Sequence, residues 1–220
     1  MGLDSIVIRL KEQDHILSLI ALINFVLTPT YIDLLGIQGN IIVFINFYFL
    51  VISGLLISVK DRKKDIFYII ISSFLLISIL VEFSFSSSNI FHITRILLGL
   101  SFFTLMCFRI MKNLIKEEDI SIKGVIGAIS GYIYIGLTGG VLFESVSKLH
   151  NSPILKHFSE GALSSYAYYY FSFMTITTVG YGDIYPLNSL GQSITVILSL
   201  TGQIYLTVVI ASFVGKFLSK

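Results

Sequence analysis

The chain has 220 residues, of which 55% are hydrophobic and 13% charged, with a net charge of +2 and a mean hydropathy of +0.87. That profile excludes an ordinary soluble domain and points to an all-α membrane protein. The small charge excess gives no reason to expect a nucleic-acid partner. The single cysteine, Cys107, excludes an intrachain disulfide, and with no tryptophan present Tyr and Phe must supply any interfacial belt.

About 20 apolar residues cross a bilayer core, and six stretches reach that length: 15–35, 41–60, 66–85, 90–112, 124–147 and 189–217. Residues 1–14 read as a cytoplasmic N-terminal segment. Arg9 and Lys11 precede the first apolar run, but no small-residue cleavage site follows, so the span is expected to stay uncleaved. Basic residues fall on alternate connections. Lys60, Arg62, Lys63 and Lys64 follow the second span, Lys112, Lys116 and Lys123 follow the fourth, and Lys216 and Lys220 close the chain. The positive-inside rule places these connections and both termini in the cytoplasm of a multi-pass cell-membrane protein. Residues 113–123 read as a connecting helix along the inner interface. The outer loop 148–160 carries His150 and His157, read either as external proton sensors or as solvated loop residues.

The fifth span holds two Gly-x-x-x-Gly pairs, Gly127/Gly131 and Gly136/Gly140. Small residues at this spacing let helices approach closely in lipid, and the sixth span is the expected neighbour. The short apolar stretch 162–177, starting near Ser159 or Glu160, reads as a re-entrant helix whose negative dipole end points toward the membrane centre. It leads into Thr177-Thr178-Val179-Gly180-Tyr181-Gly182-Asp183. Alternate glycines permit φ > 0, which successive carbonyls need if they are to point one way.

Thr178–Gly182, continued into Asp183 and Pro186, resembles the selectivity filter of potassium channels, whose carbonyl rings replace the hydration shell of K+. The resemblance is strong over 160–218, moderate over 124–147 and architectural over 1–116. It is to six-transmembrane channels of the voltage-gated-like superfamily, prokaryotic type. It implies K+ coordination by Thr178, Val179, Gly180, Tyr181 and Gly182, with no other cofactor. The Val179 and Tyr181 side chains are then expected to pack outward against the pore helix. Four copies close the carbonyl ring, so a homotetramer in the lipid bilayer, permeated by K+, is expected.

The implied division is a four-helix voltage-sensor-like domain at 15–116, a linker at 117–123 and a pore domain at 124–220. The pore domain comprises an outer helix 124–147, pore helix 162–177, filter 178–182 and inner helix 189–217. Asp183, Tyr170, Phe171 and Glu144 occupy filter-support positions. The family has tryptophans at the places of Tyr170 and Phe171; here Tyr170 keeps a hydroxyl for Asp183 and Phe171 loses a donor. Glu144 reads either as a brace behind the filter or as an interfacial carboxylate. Gly202 reads as a gating hinge or a packing notch. Thr177, Gln203, Thr207 and Ile210 are expected to line the cavity, with interhelical glue as the other reading of Gln203.

The family's ladder of sensor arginines is largely missing. Arg95 lies near the outer end of the fourth span, Arg109 and Lys112 near the inner end, and the 13 positions 96–108 are uncharged. Glu82, near the outside of the third span, is the expected partner of Arg95. Steep voltage dependence needs three or four charges per subunit crossing the field, roughly 2.3 kcal/mol per charge per 100 mV. A passive K+ channel with weak or absent voltage gating is therefore expected. The rival readings are a membrane sensor or assembly subunit with a vestigial pore, and a K+ transporter subunit. No nucleophile–base pair or metal cluster suggests an enzyme.

Overall fold

The computed structural model describes residues 14–35, 39–58, 65–84, 89–116, 121–149, 153–158 and 163–218. In chain order the helices are α1 Asp14–Val26, α2 Thr28–Leu35, α3 Gly39–Ser58, α4 Ile66–Ser84, α5 Asn89–Lys116, α6 Ile122–Leu149, α7 Ser165–Ile176 and α8 Ser189–Leu218. Strand β1, Leu155–His157, lies between α6 and α7, and β2, Ile184–Pro186, between α7 and α8.

Among the described residues, three helices are long and apolar enough to cross a membrane: Ile93–Ile115 within α5, α6, and α8. The apolar helical stretches Ile16–Val26, Ile45–Leu55 and Ile66–Ser78 are shorter. The first expected span, 15–35, is not one helix but breaks at Leu27 between α1 and α2. Pro29 has no N–H to continue the ladder. A polar cluster sits at the break: Thr28 Oγ1 donates to the Asn24 carbonyl at 3.2 Å, Asn46 Nδ2 donates to Thr28 Oγ1 at 2.8 Å, and Asn24 Nδ2 donates to Asn46 Oδ1 at 2.8 Å. These groups satisfy one another and pin the break to α3, as polar groups in an apolar setting require.

Helix α6 is the hub. It packs against α5 and α1 on one side and against α7 and α8 on the other. Tyr134, Leu137 and Val141 of α6 join a core with Leu22 and Phe25 of α1, Leu50 of α3, Leu75 of α4 and Phe103 of α5. Ile135 and Phe143 of α6 join a second core with Phe171 and Ile176 of α7 and Ile194, Leu198 and Tyr205 of α8. Three of the four paired glycines are notches for aromatic rings. A Cβ at Gly131 would collide with Tyr205 of α8, whereas at Gly136 and Gly140 it would collide with Phe173 and Tyr169 of α7. The second pair thus receives the short helix α7 rather than the expected last span.

Two connections differ from expectation. Residues 113–116 continue α5 instead of starting a separate interfacial helix, and Ser121 caps α6 by accepting the Gly124 N–H on its Oγ at 2.9 Å; 117–120 lie outside the described residues. Part of the outer loop is ordered: β1 pairs antiparallel with β2 in the register Leu155↔Pro186, Lys156↔Tyr185, His157↔Ile184. The ladder is extended by Phe158 N–H to the Asp183 carbonyl and Leu187 N–H to the Ile154 carbonyl, both 2.8 Å. A three-residue strand carries too little alternation to read locally, and its partner lies beyond the glycine-rich segment. His157 is therefore a strand residue, and His150 lies outside the described residues.

Candidate functional site

The glycine-rich segment hangs from the C-terminal end of α7. That helix starts at Ser165, because Ser164 before it is extended (φ −69°, ψ 158°), and not at Ser159 or Glu160, which lie outside the described residues. At its end the chain folds back on the helix. Thr177, Thr178 and Gly180 donate their N–H groups to the carbonyls of Phe173, Thr175 and Met174, at 3.1 Å each. The backbone then alternates in hand. Thr178 has φ 61°, Gly180 φ 50° and Gly182 φ 80°, while Val179 and Tyr181 between them are not in the positive-φ region. Alternating left- and right-handed residues turn successive carbonyls to the same side.

Thr178 is the outlier. A β-branched residue at positive φ is strained, and such strain persists only where the surroundings impose it. Among the described residues, no other non-glycine has positive φ. The sequence marks the two glycines but not this third position, because nothing in threonine's chemistry favours it.

Thr177–Gly182 are all exposed on this chain. Val179 is 48% and Tyr181 74% exposed, so α7 of the same chain does not cover them. The segment is an open strip of carbonyl-bearing backbone rather than a closed site.

The four residues expected to support it take different places. The Tyr170 hydroxyl interacts electrostatically with the nearby Asp183 carboxylate. Phe171 points the other way, into the chain, and meets Phe143 edge to face at 5.1 Å. Glu144 is 1% exposed; its Oε1 accepts from Ser165 Oγ at 3.0 Å, at the start of α7, and from Lys148 Nζ at 2.8 Å. It thus holds the far end of α7, not the glycine-rich segment itself. Asn188 caps α8, its Oδ1 accepting the Gly191 N–H at 2.9 Å.

Helix α8 runs unbroken through Gly202. A Cβ there would lie 3.0 Å from Ile176 Cβ and 3.2 Å from its carbonyl oxygen, so Gly202 lets α8 press against the end of α7. The buried side of α8 is Gly191, Ile194, Leu198, Gly202, Tyr205 and Val209. An exposed stripe, Val196, Leu200, Gln203, Thr207, Ile210 and Val214, repeats at alternating four- and three-residue spacing. Gln203 therefore shares a face with Thr207 and Ile210.

Residues 129–220 match a family model described as "Ion channel". The match supports an ion channel. It spans most of α6 and all of α7, the alternating segment and α8. No curated protein and no solved structure matches the chain.

In the first half, Arg109 of α5 is held in an ion pair. Arg109 Nη1 sits 2.6 Å from Asp65 Oδ1, with side chains only 16% and 5% exposed, and its guanidinium lies 4.7 Å from the Tyr68 ring centroid. In sequence Asp65 is merely the end of a basic loop, so this partner was not legible. Arg95 and Glu144 act on Tyr169 of α7 electrostatically in opposite senses. Lys112 is exposed, and the Glu82 side chain lies outside the described set. Removing one partner of a buried ion pair typically costs about 3–5 kcal/mol. Asp65→Asn is accordingly expected to lower stability by about 3 kcal/mol, read as a fall in thermal unfolding midpoint in detergent.

Proposed function

We propose that the protein is a K+-selective channel conducting passively through a homotetrameric pore in the cell membrane, with both termini cytoplasmic. The observation that carries this reading is the left-handed backbone at Thr178, Gly180 and Gly182, with the β-branched Thr178 strained into the pattern. Carbonyls turned to one side on a single chain make a quarter of a coordination cage, and four copies around an axis replace the hydration shell of K+ at Thr178, Val179, Gly180, Tyr181 and Gly182. Desolvating a cation is unfavourable unless its new oxygen ligands are already in place. The fold-back hydrogen bonds to α7 and the β1–β2 ladder hold them there. The negative end of α7 adds a favourable field below the cage.

Assembly answers two features of the single chain. Val179 and Tyr181 are left exposed, and a neighbouring protomer would cover them. The stripe from Val196 to Val214 has the spacing of helices that meet along a seam. Turned to the axis, it lines the cavity with Gln203, Thr207 and Ile210 beneath Thr177, and Gly202 serves as the point about which α8 bends. The 15–116 half is a sensor-like domain that moves little charge. Arg109 is bound to Asp65, and nothing charged lies between it and Arg95 on α5.

Reconstituted wild-type protein is expected to pass K+ down its gradient and to reject Na+. Its open probability is expected to change by less than tenfold over 100 mV, corresponding to under about one gating charge per pore. Equal K+ and Na+ flux would overturn the selectivity; a steep opening curve would overturn the voltage reading.

A further inference from the structure

Two tyrosines that the site does not use lie between the inner helix and the base of the proposed filter. Tyr132 of α6 donates its hydroxyl to the Ile176 carbonyl at 2.6 Å. Ile176 is the last residue of α7, and its carbonyl belongs to the peptide plane that carries the Thr177 N–H. A hydrogen bond on that carbonyl fixes the orientation of the peptide entering Thr177 and the strained Thr178. Tyr205 of α8 donates its hydroxyl to the Ala128 carbonyl of α6 at 2.7 Å and occupies the notch left by Gly131. The two rings meet at 6.0 Å between centroids, tilted by 33°. On the same side of α8, Gly202 touches Ile176 directly.

This arrangement is more than packing. In an apolar setting a tyrosine hydroxyl needs a partner, and each of these finds a backbone carbonyl on another helix. If α8 shifts, Tyr205 must leave the Ala128 carbonyl or drag its ring across Tyr132, and Tyr132 holds the filter's entry peptide. We infer that Tyr132 and Tyr205 form a relay that sets the filter base according to the position of the inner helix, with Tyr132 as a positioning residue for conduction. The inference rests on the channel reading above and goes beyond it, because it assigns to α6 a role in controlling the filter.

The test uses full-length wild type, Tyr132→Phe, Tyr205→Phe and the double variant, reconstituted in planar bilayers. Both phenylalanines keep the ring contact and remove only a hydroxyl. The readouts are the K+/Na+ permeability ratio and the mean duration of open bursts. Each single variant is expected to change burst duration by about fivefold, the equilibrium equivalent of one net hydrogen bond. The double variant should do no more than the larger single change, since both cut one path. If either variant fails to assemble, the other gives the same readout. The relay is overturned if the variants unfold at lower temperature yet keep burst duration and permeability ratio within twofold of wild type, or if their effects simply multiply. A wild type that passes no K+ overturns the channel reading and the relay with it.

Discussion

Gly180→Ala is expected to abolish K+-selective flux while leaving the rest of the fold intact. No atom lies within 4 Å of where the new Cβ would sit on this chain, so the effect is not a clash. It is conformational: Gly180 has φ 50°, and an L-residue with a Cβ in the left-handed region costs roughly 1–2 kcal/mol. In a fourfold ring that cost arises four times, roughly 4–8 kcal/mol per pore. The segment already carries one strained residue in Thr178. The cheaper outcome is for the 180 peptide to rotate out of left-handed space, which turns its carbonyl out of the cage. Gly99→Ala is the control. Gly99 lies within α5 with nothing within 4 Å and no positive φ, where alanine is favoured over glycine by about 1 kcal/mol. Flux from liposomes under K+ and Na+ gradients compares the two. Wild-type discrimination in Gly180→Ala would sink the assignment of the cage.

Gly140→Val is expected to destabilise the protein by about 3 kcal/mol or more, the upper part of the range for overpacked sites. A Cβ at Gly140 would meet the Tyr169 ring and lie 2.9 Å from Tyr169 Cα. A ring can rotate aside, but a backbone atom moves only with its helix. Displacing Tyr169 pushes α7 away from α6 and breaks its edge contact with Phe25 of α1 at 5.7 Å. That contact is one place where the first half of the chain touches α7 itself. The loss should appear as a lower unfolding midpoint and a lower yield of assembled protein. A midpoint unchanged from wild type would show that α7 is not seated in this notch.

Much of this protein is legible in local stretches. Apolar runs of spanning length follow from the cost of burying polar groups in lipid, and the two glycines at 180 and 182 follow from the need for positive φ. Both are properties of neighbouring residues, which a sequence displays directly. The pattern of lysines and arginines belongs to the same class.

What escaped the sequence depends on residues far apart in it. Asp65 became the partner of Arg109, 44 residues away. Tyr132 took the carbonyl of Ile176, and Tyr205 that of Ala128, 77 residues before it. β1 found its partner across the whole of α7. The left-handed Thr178 belongs here too. Its own chemistry opposes that conformation, which accompanies the fold-back of Thr177, Thr178 and Gly180 onto α7. The sequence by itself thus determined the apolar, membrane-type character of the chain and the glycine-rich segment on which the proposed cage rests, because both are set by residue type and near spacing. The tertiary structure decided which groups pack against that segment, because a carboxylate, a tyrosine hydroxyl or a bare glycine selects its partner only once the helices have packed.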